Sequence, residues 1–129
     1  MKVHHIGYLV KDIQRSTEKF QTLGFVSLGE VTYDPARNID ILFMDNQGTV
    51  IELIQSKGDD SAVGDLFKKI GVAPYHLCYV SENLEEDIQL LRKEKYVIIS
   101  PPLPAPAIQG KRVAFLYQKN VGILELVEA

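Results

Sequence analysis

The sequence predicts an α+β fold built from two βαβββ modules related by pseudo-twofold symmetry. First, the segment that begins at His5 recurs from His76, 71 residues later. Second, apolar residues in each copy alternate with the period of a strand and then follow helical spacing. Third, each copy ends in an apolar strand around a glutamate, Glu52 in the first and Glu125 in the second. A chain that repeats one plan in this way is expected to form a pair of similar modules.

The elements of the first module follow in order along the chain. Alternation over residues 2–10 predicts a strand. The helix that follows has Asp12 as its N-cap, an apolar stripe of Ile13, Phe20 and Leu23 at helical spacing, and Gly24 as its stop. Three further strands are predicted over residues 25–32, 39–45 and 49–55.

The second module repeats these elements after a short helical linker. A strand over residues 75–81 leads into a helix that Asn83 caps, with Leu84, Ile88 and Leu91 buried. The last strands are predicted over residues 96–100, 112–117 and 122–127. We expect one domain over residues 1–129. Module 1 covers residues 1–55 and module 2 covers residues 75–129. The linker between them, residues 56–74, contains the predicted helix over residues 59–70.

Composition and charge exclude several function classes. An apolar fraction of 46% and a charged fraction of 24% are typical of a globular protein. The net charge of −3 is interspersed and offers no basic stripe for nucleic acid. No apolar run approaches the roughly 20 residues that span a bilayer, so we expect no membrane partner. The single Cys78 and the absence of a secretory signal favour a cytoplasmic location.

Two loops are candidates for the mouth of a cleft. Residues 100–112 hold four of the six prolines and should be too stiff to join a sheet continuously, and residues 30–38 are their counterpart. Equivalent loops of a duplicated fold would flank one cleft. Three cations nearest these loops could bind a carboxylate or phosphate of a small-molecule substrate: Arg37, Lys111 and Arg112. The alternative for each is a solvated surface charge.

One imidazole and one carboxylate in each module suggest a metal centre. A carboxylate in the middle of an apolar strand costs several kcal/mol to bury unpaired, so its presence in both modules calls for a reason. A rim or edge position would explain one such glutamate, but less readily two. Two imidazoles and two carboxylates suit a borderline divalent cation and leave positions open for substrate. Strand parity points His4 away from His5, and we exclude His4 from this centre.

The repeated motifs resemble one known superfamily over the whole chain. His-Ile-Gly, Ile-Glu-Leu-Ile, Tyr-His-Leu-Cys and Leu-Glu-Leu-Val-Glu resemble the vicinal oxygen chelate (glyoxalase/bleomycin resistance/dioxygenase) superfamily, and most of all glyoxalase I and methylmalonyl-CoA epimerase. The resemblance implies a single domain with an eight-stranded, open, barrel-like sheet around a metal cleft. It also implies a homodimer and one divalent ion, nickel or cobalt by likeness to the short glyoxalases, with zinc possible. The implied ligands are His5, Glu52, His76 and Glu125.

The first function that the resemblance implies is a glyoxalase I-like lyase or isomerase, similar to lactoylglutathione lyase. Such an enzyme converts the hemithioacetal of a 2-oxoaldehyde into a thioester by moving a proton between carbons next to a carbonyl. Glu125 would be the base, and Glu52 its symmetry-related partner for the opposite face.

Several alternatives stay open. A methylmalonyl-CoA epimerase-like enzyme is the second reading, although Ala36 stands where the epimerases carry a further catalytic glutamate. Leu9 stands where glutathione-dependent glyoxalases usually have an arginine. A non-catalytic drug-binding resistance protein would not need four ligands. Two further readings are thiol transfer to fosfomycin and ring-cleaving dioxygenation, which resemble the activities of superfamily members with three metal ligands. Glu52 argues against thiol transfer.

Overall fold

The computed structural model describes residues 1–129, and its contacts divide the chain into two compact units. The first unit comprises residues 6–75, and the second comprises residues 1–5 and 76–129. Nine strands and three α-helices confirm the predicted α+β class. Folding as a single domain stays a prediction. None of the helices has the length and apolar content that crossing a bilayer requires.

The first unit follows the predicted strand-helix-strands order. The elements are β1 (Lys2–Val10), α1 (Ile13–Gln21), β2 (Val26–Ser27), β3 (Thr32–Asp34), β4 (Ile39–Asn46), β5 (Thr49–Ser56) and α2 (Gly64–Ile70). Residues 2–5 of β1 belong to the second unit. The sheet has the strand order β2-β4-β5-β1, in which β1 and β5 are parallel and the other pairs antiparallel, and β3 also pairs with β4.

Helix α1 begins where the sequence predicts and covers one face of this sheet. The side chain of Asp12 accepts a hydrogen bond from the Arg15 backbone N–H at 3.1 Å, which satisfies one of the orphan donors at the helix start. The core beneath the helix comprises Val10, Ile13, Leu42, Met44, Ile51 and Leu53. The expectation that Leu23 joins this stripe is wrong, because the helix ends at Gln21 and Leu23 is exposed.

Two predicted elements of the first unit are shorter than expected. The strand over residues 25–32 is interrupted at Gly29, whose φ of 137° is a conformation that extended strands do not use, and pairing resumes in β3. This interruption makes nine strands rather than eight. The linker helix begins at Gly64 rather than Asp59, because turns close the preceding residues: Ser61 N–H donates to the Gly58 carbonyl and Gly64 N–H to the Ser61 carbonyl.

The second unit repeats the plan of the first. Its elements are β6 (Ala73–Ser81), α3 (Leu84–Lys93), β7 (Val97–Pro104), a 3₁₀ turn (Pro106–Ile108), β8 (Arg112–Gln118) and β9 (Gly122–Glu128). The sheet has the strand order β6-β9-β8-β7, again with the first and last strands of the module parallel and adjacent. The Asn83 side chain caps α3 by accepting from the Glu86 N–H at 3.1 Å, as predicted.

Strand β7 continues past its predicted end at residue 100 into the proline-rich segment. Its pairing with β8 shifts register between Ile98 and Ser100 and again between Ser100 and Leu103. The prediction that the prolines prevent a continuous ladder is therefore confirmed. β7 is the outermost strand of its unit, where a missing N–H costs little.

We expect the sheet face under α1 to carry much of the stability of the first unit. Leu53 is fully buried there, so Leu53→Ala should lower the free energy of unfolding by about 2–5 kcal/mol. Leu90, on α3, is 53% exposed, and the matched Leu90→Ala should change it by less than about 0.5 kcal/mol. Urea denaturation followed by circular dichroism measures both, and equal losses would contradict the described packing.

Candidate metal centre

Three of the predicted ligands project from strands of the second unit. His5 belongs to β1, His76 to β6 and Glu125 to β9. In the parallel β6–β9 pair, Cys78 stands opposite Glu125, and His76 lies two residues before Cys78 on the same face of its strand. The period of the strands therefore directs the imidazole and the carboxylate to one side of the sheet.

The ligand atoms of these three residues converge on one point. The distance from His5 Nε2 to Glu125 Oε1 is 3.0 Å, that from His76 Nε2 to the same oxygen is 3.2 Å, and the two Nε2 atoms are 3.4 Å apart. All three side chains are almost fully buried, with 1–4% of each residue exposed. The structure thus brings together His5, His76 and Glu125 in the second unit.

The spacing fits a divalent cation. Donor atoms about 2.1 Å from a metal are about 3.0 Å apart at a right angle and about 3.4 Å apart at the tetrahedral angle. The observed separations of 3.0, 3.2 and 3.4 Å lie in this range. In addition, Glu125 Oε1 is buried and receives no hydrogen bond of acceptable geometry, although both rings lie close to it. Two imidazole nitrogens and a carboxylate oxygen suit zinc, nickel or cobalt and leave coordination positions for other groups.

The charge state of Glu125 suits a ligand. Burial by itself would raise the pKa of this carboxyl group, but the His5 and His76 rings beside Oε1 outweigh the effect and hold the pKa well below its usual range. Glu125 is therefore an anion at neutral pH. A carboxylate that is already ionised can bind a cation without first losing a proton.

A phenylalanine that the sequence reasoning missed packs on this cluster. Phe115, on β8, stands opposite Glu125, and its ring meets the His76 ring edge to face with centroids 5.3 Å apart. In the first unit Phe43 stands opposite Glu52 in the same way. A phenylalanine opposite each predicted carboxylate is a feature of the repeat that the sequence could have revealed. The Phe115 ring restricts the orientation of His76.

His4 does not behave as strand parity predicts. We expected it to point away from His5, but the two Nδ1 atoms are 2.7 Å apart and the ring centroids 5.0 Å apart. The expectation is wrong because parity fixes only where a side chain leaves the strand. An exposed imidazole at a strand end can then turn back toward its neighbour.

Glu52 lies in the first unit, on β5. It is buried, and it stands opposite Gly7 of β1 and Phe43 of β4. Gly7 comes two residues after His5 along the chain. The fourth-ligand role of Glu52 stays a prediction.

The three cations predicted to bind substrate have different surroundings. The Arg37 guanidinium donates to the buried carboxylate of Asp34 at 2.7 Å, at the end of β3. Arg112 donates to Glu85 at 2.7 Å and to Glu128 at 3.2 Å, and its neighbour Lys111 is half-buried. These ion pairs supply a structural role for Arg37 and Arg112, and their contact with substrate stays a prediction.

The fold and the cluster of converging side chains are features of one class of proteins, and comparison with known protein families identifies that class. Residues 4–115 match the family model of the Glyoxalase/Bleomycin resistance protein/Dioxygenase superfamily, and the chain belongs to that superfamily. The resemblance inferred from the repeated motifs is therefore confirmed.

Several proteins similar to this chain are named as epimerases. The mitochondrial methylmalonyl-CoA epimerase of Mus musculus is 26% identical over 131 residues, covering 99% of this chain and 73% of that protein. An ethylmalonyl-CoA/methylmalonyl-CoA epimerase of Cereibacter sphaeroides is 22% identical, covering 92% of this chain and 90% of the relative. A variant of Streptomyces coelicolor methylmalonyl-CoA epimerase in complex with 2-nitronate-propionyl-CoA superposes with a TM-score of 0.84 at 21% identity, covering 100% of this chain and 97% of that one. This last likeness supports the fold.

Removing any one of the three converging ligands should weaken metal binding. We expect His5→Gln, His76→Gln and Glu125→Gln each to raise the Kd for nickel or cobalt by more than the roughly 10- to 100-fold that loss of an outer partner costs. Glu94→Gln, which makes the same change at an exposed position, should leave Kd unaltered. Calorimetric titration of the metal-stripped protein measures all four. Unchanged affinity in the three site variants would rule out this centre.

Proposed function

We propose that this chain is a divalent-metal-dependent epimerase that acts on the CoA thioester of a 2-substituted malonate, with methylmalonyl-CoA as the first substrate to test. The observation that carries the proposal is the convergence of two imidazole nitrogens and a carboxylate oxygen within 3.4 Å. Relatives named methylmalonyl-CoA epimerase match 99% of the chain. The glyoxalase I reading, which the sequence placed first, has no such specific support among the relatives.

The proposed centre is held by His5, His76 and Glu125, with Glu52 as a fourth ligand from the first module. A divalent ion bound there would polarise a carbonyl group of the substrate and so acidify the hydrogen on the neighbouring carbon. The three converging side chains are almost fully buried, which shields their ligand atoms from bulk solvent. Electrostatic stabilisation is stronger in such surroundings than in water.

Proton transfer is the remaining task. Epimerisation removes a proton from one face of a carbon and returns one to the other face, so a carboxylate on each side serves it best. Ala36 has no proton-accepting group. We therefore assign the two transfers to Glu125 and Glu52, which occupy equivalent positions in the two repeats.

The substrate's anionic groups need cationic or N–H partners. Arg37, Lys111 and Arg112 are the proposed partners, because CoA carries phosphates and malonate a free carboxylate. Arg37 and Arg112 already neutralise carboxylates of the protein, so their share in binding would come from exchanging those partners. A homodimer, a cytoplasmic location and a preference for nickel or cobalt over zinc are carried with the proposal as predictions.

The proposed activity can be tested with one epimer of methylmalonyl-CoA in deuterated water. The metal-loaded protein should convert it to the other epimer and introduce deuterium at C2, and the chelator-treated protein should do neither until metal is restored. Chiral chromatography of the hydrolysed acid and mass spectrometry follow the two events. Inactivity on this thioester, combined with turnover of methylglyoxal hemithioacetals, would favour the glyoxalase I reading instead.

Substitutions assayed at saturating metal concentration can separate the roles of the two carboxylates. Glu52→Gln and Glu125→Gln should each lower the epimerisation rate by at least about 10²-fold, since a general base contributes about 10²–10⁴. In each variant, deuterium exchange should fall mainly for one starting epimer, and the affected epimer should differ between the two variants. Glu94→Gln is the matched surface control. Full activity in either site variant would remove that residue from the proton transfers.

A further inference from the structure

His4 makes a close contact with the first of the converging ligands. Its Nδ1 lies 2.7 Å from His5 Nδ1, and the two rings meet edge to face with an interplanar angle of 80°. His5 is buried, whereas His4 is exposed. The His4–His5 contact lies outside the cluster of three ligand atoms, and it bears on which ring nitrogen of His5 carries the proton.

A hydrogen bond between two Nδ1 atoms requires a proton on one of them and a lone pair on the other. His5 presents its other nitrogen, Nε2, to Glu125 Oε1 at 3.0 Å and to His76 Nε2 at 3.4 Å. A neutral imidazole can bind a cation through Nε2 only when its proton sits on Nδ1. In that tautomer His5 is the donor and His4 Nδ1 is the acceptor.

We propose that His4 is a positioning residue for the metal centre, an inference that rests on the proposed metal-dependent function. By accepting from His5 Nδ1–H, His4 holds His5 in the tautomer whose Nε2 lone pair faces the cluster, and it fixes the rotation of the ring. Outer hydrogen-bond partners of this kind raise the basicity of a ligating imidazole and order it before the metal arrives.

The contact is specific to the first repeat. The 71-residue offset that places His5 on His76 places His4 on Tyr75, so the second ligand is not preceded by an imidazole. His76 is instead packed against the Phe115 ring. The two imidazole ligands therefore have different supports: His5 donates a hydrogen bond to its chain neighbour His4, and His76 packs against an aromatic ring.

The experiment compares two replacements of His4. His4→Phe keeps a planar ring but removes the acceptor, and His4→Asn supplies an amide oxygen near the position of Nδ1. Lys2→Ala is the control, an exposed residue on the same face of β1. Kd for nickel is measured by competition with a chromophoric chelator at a pH above the ordinary titration range of histidine. The His5 tautomer of the metal-free protein is read from ¹⁵N shifts and two-bond N–H couplings of histidine-labelled samples.

We expect His4→Phe to raise Kd roughly 10- to 100-fold and His4→Asn to stay within about threefold of the unsubstituted chain. The metal-free parent should show an Nδ1–H tautomer at His5, and His4→Phe a mixture. If the parent binds no divalent metal, the proposed function fails while the tautomer still reports on His4. If the parent binds metal and His4→Phe binds it equally well, or if His5 carries its proton on Nε2 in the parent, the positioning role is overturned and the proposed function stands.

Discussion

The buried carboxylate of Glu125 is the constraint around which the second unit is arranged. Burying an isolated anion costs several kcal/mol, and this oxygen has only two imidazole nitrogens, at 3.0 and 3.2 Å, to offset the cost. Glu125 is almost fully buried, so bulk solvent has little access to this carboxylate. A cation bound at this point, as proposed, would satisfy the oxygen and both nitrogens together.

The repeat reproduces the strand register around each predicted carboxylate. Glu125 stands opposite Cys78 on a parallel strand and opposite Phe115 on an antiparallel one. Glu52 stands opposite Gly7 and Phe43 in the same two relations. Gly7 and Cys78 are each two residues past a predicted histidine ligand. The two repeats therefore share the strand register that orients these side chains, although some of the paired residues differ.

Much of this arrangement could be predicted from the sequence because it depends on regular residue spacings, within each strand and between the two repeats. Alternation with period two identifies the strands, and the offset between repeats aligns His5 with His76. The break at Gly29 was missed because apolar residues on both sides of the glycine mimic one continuous strand. The contact of His4 was missed because the direction of Cβ does not determine where a long, exposed ring settles. Substrate specificity could not be predicted, since the ligand set is one that reactions of several kinds can use.

The environment of Glu125 makes it a better ligand than base. The imidazoles that lower its pKa stabilise the anion, and a carboxylate whose pKa lies far below neutrality has little driving force to take a proton from carbon. A bound cation would lower its basicity further. If Glu125 does transfer a proton, the carbon acid must be strongly acidified by carbonyl polarisation, or the carboxylate must loosen from the ion first. Both candidate substrates, a malonyl thioester and a hemithioacetal of a 2-oxoaldehyde, carry the hydrogen on a carbon next to a carbonyl group, so this condition applies to both readings. The electrostatics of Glu125 therefore make polarisation of the substrate carbonyl a requirement of either proton transfer.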